Sequence, residues 1–232
     1  ACTPYGVPVT LKMRTGWAAE AKNAPSLAVV AASAGVQMLT IHGRTREQGY
    51  AGQAEHDTVA HIKTRVSIPV VANGDIDSPQ AARDVLARTG ADAVMIGRGA
   101  QGRPWLFREI AHFLATGTEL PAPTLAELKG WMLAHLLEHY ELYGESTGVR
   151  SARKHLGWYA QSFADPAAWR TSVHRQRINT AVTCDAQLAA VTDLFDEWQA
   201  LTPLPAGERL STAESCLSPT DSVSTVTWKL AA

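Results

Sequence analysis

The segment 68–75 has the sequence IPVVANGD, a short run of β-branched residues that ends in Asn73-Gly74-Asp75. The same plan occurs three more times in the first hundred residues, in VPVTLKMRTG (7–16), QMLTIHGRT (37–45) and AVMIGRG (93–99). Each run is apolar on both faces, as a buried parallel strand is. The sequence therefore predicts four parallel strands, at 7–13, 37–42, 68–72 and 93–96.

Alanine-rich amphipathic stretches separate these strands. Their periodicity predicts crossover helices at 18–34, 57–66 and 79–89, and Gly35 and Gly90 lie where a helix should stop. Strands that alternate with helices give a parallel α/β sheet. Four such units are half of a (β/α)8 barrel of the TIM type, so we predict a partial barrel over residues 1–118. Its two open strand edges would need further sequence or self-association for stability.

A second domain is predicted after the β pattern stops at Pro104. The segment 121–124, PAPT, is typical of a linker, with Thr124 as a helix cap. Helical patterns follow at 125–143, 150–163, 166–181 and 185–200, which favours a small helical bundle over residues 119–203. Residues 204–232 are rich in Ser and Thr and are predicted to be a disordered tail.

Composition excludes several classes of protein. With 46% hydrophobic and 19% charged residues and a net charge of −1, the chain has no overall attraction for phosphate, so nucleic-acid contact would need a local basic face. No stretch approaches the roughly 20 apolar residues of a membrane span, and no membrane-spanning segment is expected.

The three scattered cysteines (Cys2, Cys184 and Cys216) predict neither a disulfide framework nor a zinc site and fit a reducing cytoplasm. His135 and His139 lack an accompanying carboxylate motif and are interpreted as structural, with no metal.

Polar residues follow every predicted strand, at the edge where α/β barrels carry their sites. Glycine N–H groups and a guanidinium in the third and fourth loops suit a phosphate. The same glycines also suit the tight turns that any α/β protein needs. Lys12 and His42, at the ends of the first two strands, would be ordinary polar residues singly, but with these loops they indicate one ligand. The candidate residues are Lys12, His42, Asn73, Gly74, Asp75, Gly97 and Arg98.

Four strings resemble the bacterial tRNA-dihydrouridine synthases, most closely their B-type group. They are VTLKMRTGW (9–17), TIHGRTR (40–46), VANGDI (71–76) and MIGR (95–98), and their order and separations match the family. The resemblance continues through QGRPW (101–105) and RKH (153–155) and covers about residues 7–200. Several motifs in order make this match far more specific than a single glycine pattern.

The resemblance implies an FMN-dependent enzyme that reduces uridine in tRNA to 5,6-dihydrouridine with NADPH. It implies that the seven candidate residues bind FMN, with Gly97 and Arg98 at the phosphate, and that the target base is flipped out onto the flavin. The family's acid cysteine lies on earlier strands, before Ala1, and none of the three cysteines matches it. No catalytic residue is therefore assigned, and the chain alone is expected not to complete the reaction.

Two groups of residues are candidates for tRNA contact. Arg44 and Arg46 lie with Gln48 and Tyr50 in the loop after the second strand. Arg150, Arg153 and Lys154 occupy i, i+3 and i+4 on one predicted helix, and Trp158 follows four residues later. A solvated loop and a solvent-facing helix are the ordinary alternatives. The resemblance favours salt-sensitive, shape-dependent binding of tRNA.

Two other hypotheses stay open. The chain could belong to another FMN-binding barrel oxidoreductase, such as one like dihydroorotate dehydrogenase, that acts on a free small substrate. The helical domain argues against this first alternative. The half barrel could instead be a relic attached to a non-catalytic RNA-binding module.

Overall fold

The computed structural model describes residues 5–201, and its centre is a sheet of four parallel strands in the order β1-β2-β3-β4. The register places His42 beside Asn73, and Asn73 beside Met95, so the strand ends lie at one level. The four predicted strands are confirmed, although each is shorter than predicted. Their bounds are β1 Thr10–Arg14, β2 Met38–His42, β3 Val70–Asn73 and β4 Ala93–Met95.

Four helices accompany the sheet: α1 Ala24–Ser33, α2 Asp57–Lys63, α3 Pro79–Thr89 and α4 Leu106–Thr116. The prediction that the first helix begins at residue 18 was wrong. Residues 18–23 form a loop that is tied back through the Ala24 N–H to the Thr15 carbonyl, at 3.1 Å. Pro25 stands in the first turn of α1, where its fixed φ and missing N–H favour a helix start.

Helix α4, which follows β4 and begins just after Pro104, was not predicted. Its apolar residues Leu106, Ile110 and Phe113 are buried and recur at intervals of four and three, a signal that was present in the sequence. The helix packs against α3. It extends the layer of helices that covers one face of the sheet.

The core of this part lies between the sheet and its helices. Leu39 and Ile41 of β2 and Val70 of β3 are fully buried there, against side chains from α2, α3 and α4. Complete burial of each such side chain stabilises the fold by about 1.5–3 kcal/mol. The opposite face of the sheet, at its carboxyl end, therefore remains for polar residues.

The remaining helices are α5 Leu125–Phe163, α6 Pro166–Thr171, α7 Val173–Thr180 and α8 Cys184–Leu201. The helices predicted at 125–143 and 150–163 both form within α5 and meet at a kink, where Gly144 has the non-helical angles φ 69° and ψ 171°. The single helix predicted at 166–181 is broken at Ser172. The Ser172 side chain accepts a hydrogen bond from the His174 N–H and so caps α7.

A second apolar core lies among α5, α7 and α8. Leu156 of α5 and Leu194 and Phe195 of α8 are fully buried there. The predicted tail at 204–232 lies outside the described residues. No helix among the described residues is both long and apolar enough to cross a membrane.

Gly102 joins the two parts of the described chain. It has a φ of 74°, and a Cβ at this position would lie 2.3 Å from the backbone carbonyl carbon of Trp158 in α5. The Ser162 hydroxyl donates to the Gly102 carbonyl at 3.2 Å. Trp105 stacks on Trp131 with ring centroids 5.5 Å apart. Only glycine permits this close approach, because any side chain would strike the helix backbone.

Candidate functional site

A cavity of about 920 Å³ opens at the carboxyl ends of the four strands. All seven candidate residues line it, although the sequence spreads them over four separate loops and strand ends. They are Lys12, His42, Asn73, Gly74, Asp75, Gly97 and Arg98. The expectation that these strand ends converge on one site is therefore met by the geometry.

The pKa values of two of these residues are lowered, because burial and nearby cations disfavour their protonated forms. Burial and the nearby Arg14 guanidinium lower the pKa of Lys12. Burial, followed by Arg14, Lys12 and Arg44, lowers the pKa of His42 to about 4. His42 is therefore neutral near pH 7, with one ring nitrogen as donor and the other as acceptor.

The turn after β3 brings backbone close to its surroundings. Gly74 has a φ of 123°, and an added Cβ would lie 2.7 Å from the Ala54 Cβ and 3.1 Å from the His42 ring. His56, a buried residue that the sequence analysis did not single out, donates from Nε2 to the Gly74 carbonyl at 3.1 Å. The Asn73 amide donates to the Met95 carbonyl at 2.8 Å. These contacts hold the turn at the floor of the cavity.

Asp75 adopts a φ of 50° and is the one non-glycine residue with positive φ among residues 5–201. Its carboxylate accepts two hydrogen bonds from Arg44, at 2.9 and 2.7 Å, and a third from the Ala54 N–H at 2.7 Å. Burial alone would raise the pKa of Asp75, but these hydrogen bonds lower it below the ordinary value for Asp. The bidentate pair ties the loop after β2 to the turn after β3.

The prediction that Arg44 contacts tRNA does not agree with its position. Its side chain is buried, and the guanidinium also donates to the carbonyls of Ala51 and Gly52, at 3.2 and 2.7 Å. Four of its five N–H groups thus donate to protein acceptors. Arg44 is therefore a structural residue of the loop, whereas Arg46, two residues later, is exposed.

Arg98 and Gly97 lie at the open side of the cavity. The Arg98 guanidinium lies 3.8 Å from the Asp75 carboxylate, and its central carbon lies 4.4 Å from the centroid of the Tyr50 ring. Open space adjoins Gly97, because no atom comes within 4 Å of the place that a Cβ would take. A guanidinium and an uncovered backbone segment thus face the same volume.

The three basic candidate residues of α5 do not share one site in the structure. Arg153 and Lys154 line a second cavity of about 560 Å³, together with Trp158, Trp169, Arg170 and Arg175. The Lys154 ammonium lies 4.8 Å from the centroid of the Trp158 ring, and Arg153 donates to the Ala181 carbonyl at 3.0 Å. Arg150 is exposed but does not line this cavity. Arg170 and Arg175 were missed, because they come from other helices than α5.

His135 and His139 lie in a cluster with a third imidazole, His155. The ring centroids are 5.2 Å apart for His135 and His155 and 5.3 Å apart for His139 and His155. Tyr159 contacts the cluster, with its hydroxyl 3.2 Å from His135 Nδ1. Among the described residues, no group of three His, Cys, Asp or Glu residues is arranged to hold a metal ion.

The fold and this cavity define an α/β protein with a polar ligand site at the carboxyl ends of its strands. The family described as dihydrouridine synthase (Dus) matches residues 3–196. This match covers most of the chain. The chain belongs to the dihydrouridine synthase family, as the motifs predicted.

Curated relatives carry the name tRNA-dihydrouridine synthase B. That of Xanthomonas axonopodis pv. citri is 56% identical over 190 residues, which are 82% of this chain and 56% of the relative. That of Xanthomonas campestris pv. campestris is 53% identical over 86% of this chain and 58% of the relative. That of Pseudomonas aeruginosa is 51% identical over 83% and 57%. The chain thus spans somewhat more than half the length of these relatives.

Proposed function

We propose that this chain supplies the FMN-phosphate side of the active site and a tRNA-binding surface to an enzyme that reduces uridine in tRNA to 5,6-dihydrouridine. The observation that carries the proposal is the convergence of seven residues, from four strand ends, on one cavity. The family and the names of the relatives agree with it. The activity belongs to the cytoplasm, where tRNA is modified.

The described residues fit FMN on three observations. The cavity of about 920 Å³ lies within the range of cofactor sites. The tight surroundings of Gly74 exclude any side chain there and leave its backbone close to the cavity. The Arg98 guanidinium, with Gly97 beside it, offers N–H groups suited to a phosphate. When bound, FMN would carry hydride from NADPH to the pyrimidine ring of uridine.

The chain's own residues would bind and orient this cofactor. Arg98 and the Gly97 backbone would hold its phosphate. Lys12 would stabilise negative charge at the pyrimidine edge of the flavin, because a fixed cation favours the anionic form. Neutral His42 would hydrogen-bond the same ring system without adding a second charge. Asp75 and Asn73 would hold the loops that carry these groups.

The tRNA would contact two surfaces. Exposed Arg46 lies in the loop at the mouth of the first cavity. The cavity with Lys154 and Trp158 combines cations with aromatic rings, which is the chemistry that binds a nucleic-acid backbone and its unstacked bases. Arg150 would extend this surface along α5. Binding would weaken steeply as salt is raised.

We further propose that residues 1–118 and 119–203 are separate domains, the second a small helical bundle. Two clusters of buried apolar residues support this division, and Trp105 is the residue of the first range that packs in the second cluster. Cys184 is the cysteine within the described range and does not line the flavin cavity. The acid that protonates C5 of uridine is therefore assigned to no described residue, and the isolated chain is expected not to complete the reduction.

Binding of FMN and of unmodified tRNA to the purified chain tests the proposal. Flavin fluorescence measures the first, and filter binding at several salt concentrations measures the second. Arg98→Ala should weaken FMN binding by about 10- to 100-fold, because charge-assisted hydrogen bonds are lost. Lys154→Ala should weaken tRNA binding several-fold and reduce the salt slope by about 1. Arg65→Ala, an exposed cation at the end of α2, is the matched control.

Each outcome decides between the hypotheses. Binding of both ligands with these losses supports the proposal. FMN retention without tRNA binding would favour an oxidoreductase of a small substrate. Binding of tRNA alone would favour an RNA-binding module, and binding of neither would refute the proposal.

A further inference from the structure

The loop after β2 carries an aromatic ring over the turn after β4. Tyr50 belongs to this loop and its side chain is largely exposed, at 66% of its possible surface. The ring centroid lies 4.4 Å from the central carbon of the Arg98 guanidinium. The two residues lie on loops that are separated by a whole strand, β3, so this contact bridges the cavity mouth.

Hydrogen bonds restrain the backbone of this loop on both sides of Tyr50. On one side, Arg14 donates to the carbonyls of Thr45 and Gly49, at 2.8 and 3.0 Å. On the other side, Arg44 donates to the carbonyls of Ala51 and Gly52. Two guanidinium groups therefore fix the backbone that flanks Tyr50.

Arg98, by contrast, has few other restraints. Its side chain is 56% exposed, and within the described part of the chain it makes no hydrogen bond to another residue. Its remaining partner is the Asp75 carboxylate, 3.8 Å away, which is at the limit of an ion pair. An exposed arginine with many rotamers must lose this freedom when it binds a ligand.

We propose that Tyr50 is a positioning residue that holds the Arg98 guanidinium ready for a phosphate group. This inference rests on the proposed function, in which that phosphate belongs to FMN. The aromatic ring attracts the face of the guanidinium through cation–π interaction. The N–H groups point outward in the guanidinium plane, so stacking restrains the side chain and leaves its donors free for the phosphate.

The proposal gives Tyr50 a different role from a base-stacking contact with tRNA. A positioning role depends on the phosphate of the ligand, whereas stacking on a base or on the flavin ring does not. Riboflavin has the flavin ring of FMN without the phosphate. The comparison of these two ligands therefore separates the roles.

The first experiment measures the Kd of FMN and of riboflavin by flavin fluorescence. Tyr50→Leu should weaken FMN binding by about 3- to 10-fold and change riboflavin binding by less than about twofold. Tyr50→Phe keeps the ring and should bind FMN nearly as the unaltered chain does. In an Arg98→Ala background, Tyr50→Leu should add no further loss, because the two residues act through one interaction. Tyr5→Leu, at another exposed tyrosine, is the matched control.

The second experiment needs no flavin. Phenylglyoxal modifies accessible arginines, and mass spectrometry of peptides gives the rate at Arg98, with exposed Arg46 as internal reference. Tyr50→Leu should raise the Arg98 rate about threefold or more. Inorganic phosphate should protect Arg98 in the unaltered chain at a lower concentration than in Tyr50→Leu.

The two experiments fail in different ways. If the unaltered chain binds no flavin, the proposed function fails in its cofactor, while phosphate protection still decides the role of Tyr50. Equal losses for FMN and riboflavin, an unchanged Arg98 rate, or absence of phosphate protection in the unaltered chain would each overturn the inference about Tyr50.

Discussion

Replacement of Asp75 by Asn tests the half-buried ion pair with Arg44 that joins the loops after β2 and β3. The Arg44 side chain is only 3% exposed, whereas that of Asp75 is 37% exposed. Asn is nearly the same size, accepts the Ala54 N–H through its amide oxygen, and tolerates the positive φ of 50°. The substitution therefore removes the charge with little change in backbone strain.

The expected loss follows from the unequal exposure of the two partners. Removal of one partner from a fully buried pair costs about 3–5 kcal/mol, because the other charge stays uncompensated. Asp75 is partly solvated, and Ala51 and Gly52 still accept hydrogen bonds from Arg44, so we expect about 2 kcal/mol. For a chain of this size, that corresponds to a fall in Tm of about 4–8 °C.

Urea unfolding followed by circular dichroism would give the loss in stability, and hydrogen exchange of β2 and β3 would locate it. Asp193→Asn breaks the exposed pair with Arg177, at 50% and 46% exposure, and should cost less than about 1 kcal/mol. Hydrogen bonding lowers the pKa of Asp75 in the folded state, so its contribution is present above the unfolded pKa and is lost as pH falls through the folded one. Equal losses for the two variants, or a loss for Asp75→Asn that stays constant down to pH 2, would refute the reasoning.

Three further predictions concern the rest of the chain. Gly102→Ala should lower the Tm measured by calorimetry well beyond Gly117→Ala, with a loss of about 2 kcal/mol or more in the free energy of unfolding. Both glycines have φ near 75°, but only at Gly102 would an added Cβ strike backbone atoms. Equal effects would contradict the close contact. Thr124→Ala removes the cap of α5 and should cost about 1 kcal/mol in urea unfolding, with no change in the slope. Burial and neighbouring imidazoles lower the pKa values of His135 and His155. The unfolded chain therefore binds protons more readily, and the free energy of unfolding should fall as pH drops below about 6.5. His155→Gln should reduce this fall, and identical pH profiles for the variant and the unaltered chain would contradict the prediction.

The strands and the cavity were predictable because their signals are local. A β-branched run followed by Asn73-Gly74-Asp75 specifies a buried strand and the turn after it, independently of residues far away in the sequence. The carboxyl ends of parallel strands meet at one edge, which brought Lys12 and Arg98 to the same cavity. The predicted start of the first helix at residue 18 was wrong because the alanine-rich pattern extends through 18–23, whereas Pro25 marks the start of α1.

By itself, the sequence determined the order of the strands, most of the helices, the family, and the group of residues around the cavity at the strand ends. The tertiary structure alone decided which charged side chains are buried and paired inside the fold and which remain exposed. Arg44 and Arg46 are two similar residues in one loop, yet only Arg44 reaches Asp75, 31 positions away, and is buried. Likewise the Tyr50 ring meets the Arg98 guanidinium only because the loops after β2 and β4 approach each other. Such pairings depend on the path of each loop in space, and local residue patterns carry no information about that path.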